Sequence, residues 1–286
     1  ILMSNSVLFK SSIGKKVFMA LTGLFLCTFL VGHLAGNLQL ILKTGEEGRR
    51  AFNEYAYFMG HNLFIKILSY VTYAAILIHV IDGIALTIQN RKARPVRYAY
   101  SKPGANSSAA SRSMAILGTL ILVFLATHMA NFWWQMKVKE AVPLHTYKLE
   151  MDNPMMGAAN AELYYTHVPG IQPIPKDGKN IIEKGTDLYI KGTNVKVAEG
   201  YRDLHTLVMD FFSKSKNEGA LFAVLFYLIS MIVLAYHLLH GFQSAFQSLG
   251  INHPKYTPLI KIIGTGFAIV VPFLFAIIPV IIYMNH

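Results

Sequence analysis

Five long apolar stretches constrain this chain more than any other feature: residues 17–42, 63–89, 114–136, 220–247 and 259–284. The hydrocarbon core of a bilayer is about 30 Å thick and takes about 20 apolar residues of helix to cross, so every stretch is long enough to span it. The reading that follows is an all-α membrane protein, a single membrane domain over 1–286 with five transmembrane helices. Composition agrees, since 53% of the residues are hydrophobic and only 14% charged, against about 25% charged in an average soluble domain. The first stretch is longer than the apolar region of a signal peptide and lacks a small-residue cleavage pattern, so no cleavable leader is expected.

Charge sets an expected orientation. The formal net charge is +11, but the 26 Lys and Arg residues flank the apolar stretches instead of gathering where a phosphate backbone could lie, which argues against a nucleic-acid partner. The N-terminus and the links 90–113 and 248–258, with their helix ends, carry Lys10, Lys15, Lys16, Arg91, Lys92, Arg94, Arg97, Lys102, Arg112, Lys255 and Lys261 and no acid. The opposite side carries fifteen cations and fourteen acids, and Asp82 stands alone inside a span. By the positive-inside rule the N-terminus is cytoplasmic and the C-terminus outside, as for a multi-pass protein of the cell's inner, cytoplasmic membrane.

Residues 137–219 then form an external excursion between spans three and four. Alternation from Asp187 to Val197 predicts a short hairpin. Leu204, Leu207, Val208 and Phe211 predict a helix over 201–212 lying on the membrane surface. Neither is long enough to be a catalytic domain. The single cysteine, Cys27, excludes an internal disulfide, a thiolate zinc site and the covalent attachment of a c-type haem, and reads as a packing residue. Trp133 and Trp134 read as interfacial anchors.

Four of the eleven histidines fall inside apolar spans: His33, His79, His128 and His237. Ionisable residues inside a membrane are costly, and function is the first explanation to test, with interhelical hydrogen bonding the other. Span one reads Phe29-Leu30-Val31-Gly32-His33-Leu34-Ala35 and span three reads Phe124-Leu125-Ala126-Thr127-His128-Met129-Ala130, matching at Phe, Leu, His and Ala. Spans two and four share His-x-x-x-Gly, as His79 with Gly83 and His237 with Gly241. The repeat aligns His237 with His79 and His240 with Asp82, so His237 is the better ligand. At about 1.5 Å per residue, His33 and His128 lie about 5 Å outside the midplane and His79 and His237 about 5 to 7 Å inside it. Two levels with two histidines each suit two bis-imidazole haems, and Gly36, Gly83 and Gly241 would let a flat macrocycle approach the backbone.

With these motifs the chain resembles, over almost its whole length, the membrane-anchor cytochrome b of type B succinate:quinone oxidoreductases, a five-helix subunit with two b haems. The resemblance rests on Thr22-Gly23-Leu24-Phe25 through Gly32-His33-Leu34, on Ala51-Phe52-Asn53-Glu54 with Phe58-Met59, and on the two His-x-x-x-Gly motifs, the second followed by Leu249-Gly250-Ile251. It implies an outer haem held by His33 and His128, an inner haem held by His79 and His237, and quinone as substrate, menaquinone being usual in the family. It also implies two partners, a flavoprotein (FAD) subunit carrying the succinate site and an iron-sulfur subunit docked on the cytoplasmic face. The external segment 145–200 is longer than the family pattern, and no role is carried over to it.

Asp82 and His240, one turn from the inner ligands, are candidates to meet haem propionates or quinone, with structural hydrogen bonding as the other reading. Asn37 and Gln39, with Asn53 and Glu54 on the next external segment, are the candidate hydrogen-bonding and proton-transfer groups of an outer quinone site. Among these four only Glu54 has a titratable carboxylate. Two other readings stand beside this one. The first is a dihaem cytochrome b of a different quinone-linked enzyme, such as a hydrogenase or formate dehydrogenase, against which the helix order and His spacings argue. The second is a haem-free transporter, against which the absence of paired broken helices argues.

Overall fold

The structure is a computed structural model describing residues 11–93, 95–96, 100, 102–151, 159–167 and 174–286. Lys10, Arg94 and Arg97 of the cationic face lie outside the described residues. Five helices are long and apolar enough to cross a membrane. They are α1 (Ser12–Leu42), α3 (Leu63–Lys92), α4 (Met114–Lys137), α6 (Ala220–Ser248) and α7 (Thr257–Asn285); between them in sequence lie the shorter helices α2 (Gly45–His61) and α5 (Leu204–Phe212) and two single turns, Pro103–Asn106 and Ala109–Arg112. The five coincide with the five apolar stretches and overrun their ends by a few residues, because helix hydrogen bonding continues past the point where polar side chains begin. At 31 residues α1 is about 46 Å long, enough to cross the hydrocarbon and the headgroup regions.

The chain divides into two compact units, Ile1–Leu38 with Leu63–Thr127 and Phe212–His286, and Gln39–Asn62 with His128–Phe211. In the first, α6 and α7 are the most extensively packed helix pair. Gly264 makes that closeness possible, since a Cβ there would stand 2.6 Å from Cδ1 of Phe242. Cys27, Leu238 and Ala268 are buried together against Leu30, Leu234 and Phe242, so Cys27 is a packing residue. Pro272 and Pro279 lie inside α7 and are buried, an arrangement tolerated in membrane helices because neighbouring groups satisfy the freed carbonyls. Outward-facing residues are apolar along most of each span: Ile116, Phe222 and Ile262 are 65%, 76% and 71% exposed. Lipid accommodates such surfaces and water does not.

The second unit contains α2, α5 and two antiparallel three-stranded sheets. One has the order β1 (Thr146–Met151), β2 (Ala159–Tyr164), β3 (Ile174–Pro175), and the other β4 (Ile181–Lys184), β5 (Asp187–Ile190), β6 (Lys196–Glu199). The expected hairpin over 187–197 is β5 with β6, and β4 adds a third strand. Lys184 pairs with Asp187 across a two-residue loop whose first residue, Gly185, has φ +67°, the left-handed backbone that the first central position of a II′ hairpin turn requires. Leu144, Tyr164, Ile174, Leu188 and Ala198 form one small core that takes residues from both sheets. An all-α description therefore omits this segment, where β-branched and aromatic residues alternate and glycine turns replace helix-forming runs.

Within α4 the α-helical hydrogen bonding changes to a π-helical turn over Met129–Trp133, directly after His128. π-turns are rare and concentrate at functional positions because the extra residue re-aims the side chains that follow.

Candidate functional site

His79 on α3 and His237 on α6 meet inside the first unit, with ring centroids 6.3 Å apart and planes inclined by 63°. Two imidazoles that bind one metal axially through bonds of about 2 Å have centroids about 6 Å apart. The separation of the pair is therefore compatible with a shared iron, and it is equally that of an edge-to-face ring contact.

The surroundings of His79 determine which ring nitrogen is available. Thr22 Oγ1 donates its hydrogen to the Phe18 carbonyl at 2.7 Å and stands 3.2 Å from Nδ1 of His79. A hydroxyl has one hydrogen, so toward the imidazole Thr22 accepts, from Nδ1–H. That fixes the tautomer in which Nε2 carries the lone pair, the usual arrangement for a metal-binding histidine whose other nitrogen is held by an acceptor. Gly23 lies beside the same ring, where a Cβ would come within 3.2 Å of Cε1, and Gly118 approaches Cε1 of His237 with a Cβ distance of 3.9 Å. Nδ1 of His237 is buried with no hydrogen-bond partner among the described residues.

The other predicted groups of this level are placed by their helices. Gly241 follows His237 by one turn, its Cβ position 3.9 Å from Cδ2 of that ring, and Gly83 faces Met19 at 3.6 Å. Asp82 and His240 are half-buried, each three residues beyond its histidine, as the repeat requires.

His33 and His128 belong to different units and are described separately. The His33 ring stacks on Phe29 at 5.4 Å with planes 13° apart and packs at a tilt on Phe275 at 5.6 Å. Asn37, one turn on, donates its amide to the His33 carbonyl at 2.8 Å and stands 3.4 Å from Nδ1. Gly36 is buried and Gln39 half-buried on the same helix. His128 makes an edge contact with Phe132 at 5.3 Å.

In the second unit Asn53 and Glu54 are adjacent in sequence and have different roles. Asn53 is 1% exposed. Its amide donates to Asp203 Oδ1 at 2.8 Å and to His145 Nδ1 at 3.2 Å, and its carbonyl accepts from the His205 backbone at 2.9 Å. Every hydrogen of the side chain is thus committed to protein, which makes Asn53 the centre of a polar cluster that includes Arg49, Asp203, His145 and Glu46. Arg49 donates to Asp203 from Nε at 3.0 Å, and His145 Nε2 donates to Glu46 at 2.7 Å. Burial raises the Asp203 carboxyl, but hydrogen bonds from Arg49, Asn53 and the Thr206 backbone outweigh it and hold the group at about 2. Burial, then the Arg49 charge, lowers His145, which keeps the ring neutral at pH 7 despite Glu46.

Glu54 is exposed and accepts from the Tyr165 hydroxyl. Burial first, then the Glu54 carboxylate, pushes that phenol above its ordinary range, so it remains a donor. A cavity of about 360 Å³ opens beside Asn53, lined also by Tyr57, His61, Lys137 and Glu140.

Gly118 and the cluster partners of Asn53 are residues the sequence reading did not single out, and Thr22 entered it only as part of the Thr22-Gly23-Leu24-Phe25 motif, with no role of its own. Thr22 has a local signal, a hydroxyl in an apolar span. Gly118 is one of many small residues, and His145 and Asp203 lie more than 90 positions from Asn53. Comparisons with protein-family models, with curated proteins and with solved structures find no match to this chain.

Proposed function

We propose that this chain is the membrane-anchor cytochrome b subunit of a succinate:quinone oxidoreductase, a succinate dehydrogenase or fumarate reductase. It would pass electrons between a cytoplasmic iron-sulfur subunit and membrane quinone, the succinate site lying on the flavoprotein subunit. The observation that carries the proposal is the facing of His79 and His237 at 6.3 Å, on helices the sequence repeat had already paired.

A bound b haem supplies one-electron redox chemistry. His79 and His237 would hold the inner haem, with Thr22 keeping His79 in the tautomer whose Nε2 is free to bind. Gly23 and Gly118 leave room beside the two rings. His33 and His128 would hold the outer haem, a pairing supported by the repeated Phe-Leu-x-x-His-x-Ala motif. At the outer quinone site, with menaquinone the favoured substrate, Glu54 is the group able to exchange a proton, and the Tyr165 hydroxyl orients its carboxylate. Asn37 and Gln39 are the remaining candidate hydrogen-bonding groups, while Asn53 acts by fixing α2. Arg91, Lys92, Lys102 and Arg112 would present a cationic face to the iron-sulfur partner.

The direct test is a pyridine haemochrome spectrum of the purified protein. Two haems b per polypeptide support the proposal; a haem-free chain, purified from cells supplied with haem precursor, refutes it.

A further inference from the structure

Where α3 ends and α4 begins, the two helices part around a groove of about 290 Å³. Thr87 and Arg91 of α3 form one wall, and Ala115, Ile116, Thr119 and Leu120 of α4 form the other. Arg91 is one residue from the end of α3 and Ala115 is the second residue of α4. Leu120 lies about 8 Å further along its helix. The groove thus runs from the helix ends, where headgroups sit, into the apolar part of the spans.

Its chemistry is that of an amphiphile site. Thr87 and Thr119 give their hydroxyl hydrogens to the carbonyls of Gly83 and Ala115, at 2.7 and 2.8 Å. Arg91 is left as the groove's one side-chain hydrogen-bond donor, and a guanidinium matches a phosphate bidentately. No Asp or Glu occurs between residues 83 and 139, so the sequence on either side of the groove brings Arg91 no acid. Ile116 and Leu120, 65% and 48% exposed, supply a wall for an acyl chain. Basic pockets between membrane helices bind anionic lipid headgroups for these reasons.

We infer that this groove binds one anionic phospholipid, its phosphate on Arg91 and an acyl chain against Ile116 and Leu120. The inference does not depend on the haem reading.

The test is native mass spectrometry of the full chain in mild detergent, titrated with phosphatidylglycerol, phosphatidylcholine or inorganic phosphate. Wild type should hold one phosphatidylglycerol at least fivefold more tightly than phosphatidylcholine. Arg91→Gln should remove that preference, and Lys92→Gln, the same charge change one residue outside the groove, should leave it. Ile116→Trp, which fills the groove and keeps every charge, should weaken phosphatidylglycerol as well. Equal binding of the two lipids overturns the inference, as does an equal effect of Arg91→Gln and Lys92→Gln, or retention of lipid in both Arg91→Gln and Ile116→Trp. Displacement of the lipid by millimolar inorganic phosphate would mark a free-anion site and overturn it too.

Discussion

Replacing Asp203 with Asn isolates one charge in the cluster that holds α2, because Asn caps a helix as well as Asp does and keeps the side-chain volume. The carboxylate side chain is 3% exposed, so solvent screening removes little of its interaction. Its carboxyl stands at about 2 against an ordinary 3.8. At about 1.4 kcal/mol per unit this corresponds to about 2 kcal/mol of stabilisation. The folded value is depressed, so the contribution is complete above the ordinary value and is lost as pH falls through about 2, most of it between pH 4 and pH 2. His145 and His205 are depressed for the opposite charge type, by burial first, and remove stability as pH falls below their ordinary value of 6.5. The acid response of wild type therefore has an upper, histidine part and a lower, carboxylate part. Asp203→Asn should reduce the lower part, leaving what the depressed Glu46 contributes, and should enlarge the upper part, because the Asp203 charge favours protonation of His145 and His205. The assay is hydrogen exchange of the His205 and Leu207 amides in the full chain, which are bonded to Asn53 and to the Asp203 backbone. At pH 7 protection should fall between ten- and a hundredfold, using 1.4 kcal/mol per tenfold. Protection within twofold of wild type at pH 7 would refute the reasoning, and so would a variant that loses as much protection between pH 4 and pH 2 as wild type does.

Three further outcomes follow from the two sites. Thr22→Val should lower retention of one haem by about ten- to a hundredfold, as loss of the group that accepts from a ligand's other ring nitrogen does elsewhere, while Thr22→Ser retains it; equal haem content across wild type and both variants contradicts the tautomer argument. His237→Leu should lose one haem and His240→Leu neither, read from haem per polypeptide; the reverse pattern overturns the choice between them. Glu54→Gln should slow quinone turnover by about a hundredfold at unchanged haem content, within the range expected for removing a general acid–base group, and unchanged turnover removes Glu54 from the reaction.

The membrane part was legible because its signals are local. Helix length, apolar run and a histidine every few turns need no knowledge of what packs against what, and the five spans and the His79 with His237 pairing come directly from them. Asn53 shows where such reasoning stops. An Asn next to a Glu between two apolar spans has the composition of a site residue, yet its amide is consumed by Asp203, His145 and His205, up to 152 positions away. No periodicity in the chain announces those partners. The π-turn after His128 is equally silent, since Met129–Trp133 has nothing that distinguishes it from an ordinary helical turn. The short sheets were half legible: alternation revealed one hairpin, and strands of two to six residues leave too little pattern for the remainder.

The polar cluster also explains how a short amphipathic helix can hold the Glu54 carboxylate in place. On α2, Glu46, Arg49, Asn53 and Tyr57 fall at helical spacing and all face the segment 137–219: Glu46 reaches His145, Arg49 reaches Asp203, Asn53 reaches both, and Tyr57 packs at a tilt on His167 at 4.5 Å. Arg50 adds a cation over the rings of Tyr147 and Tyr165, at 5.0 and 4.8 Å. Apolar contacts tolerate a slip in register, because one methyl replaces another at small cost. Hydrogen bonds at 2.7 to 3.2 Å do not: turning α2 by one residue, about 100°, would leave a buried Asp, His and Asn unpaired at once, each a penalty of about 1–3 kcal/mol. Set against an apolar pair of the same shape a buried ion pair adds little net stability, and beyond the stability that its own charge secures the Arg49 and Asp203 pair also restricts the register of α2. Glu54, next in sequence to the most buried member of that stripe, inherits the constraint, and Tyr165 meets its carboxylate in that register alone.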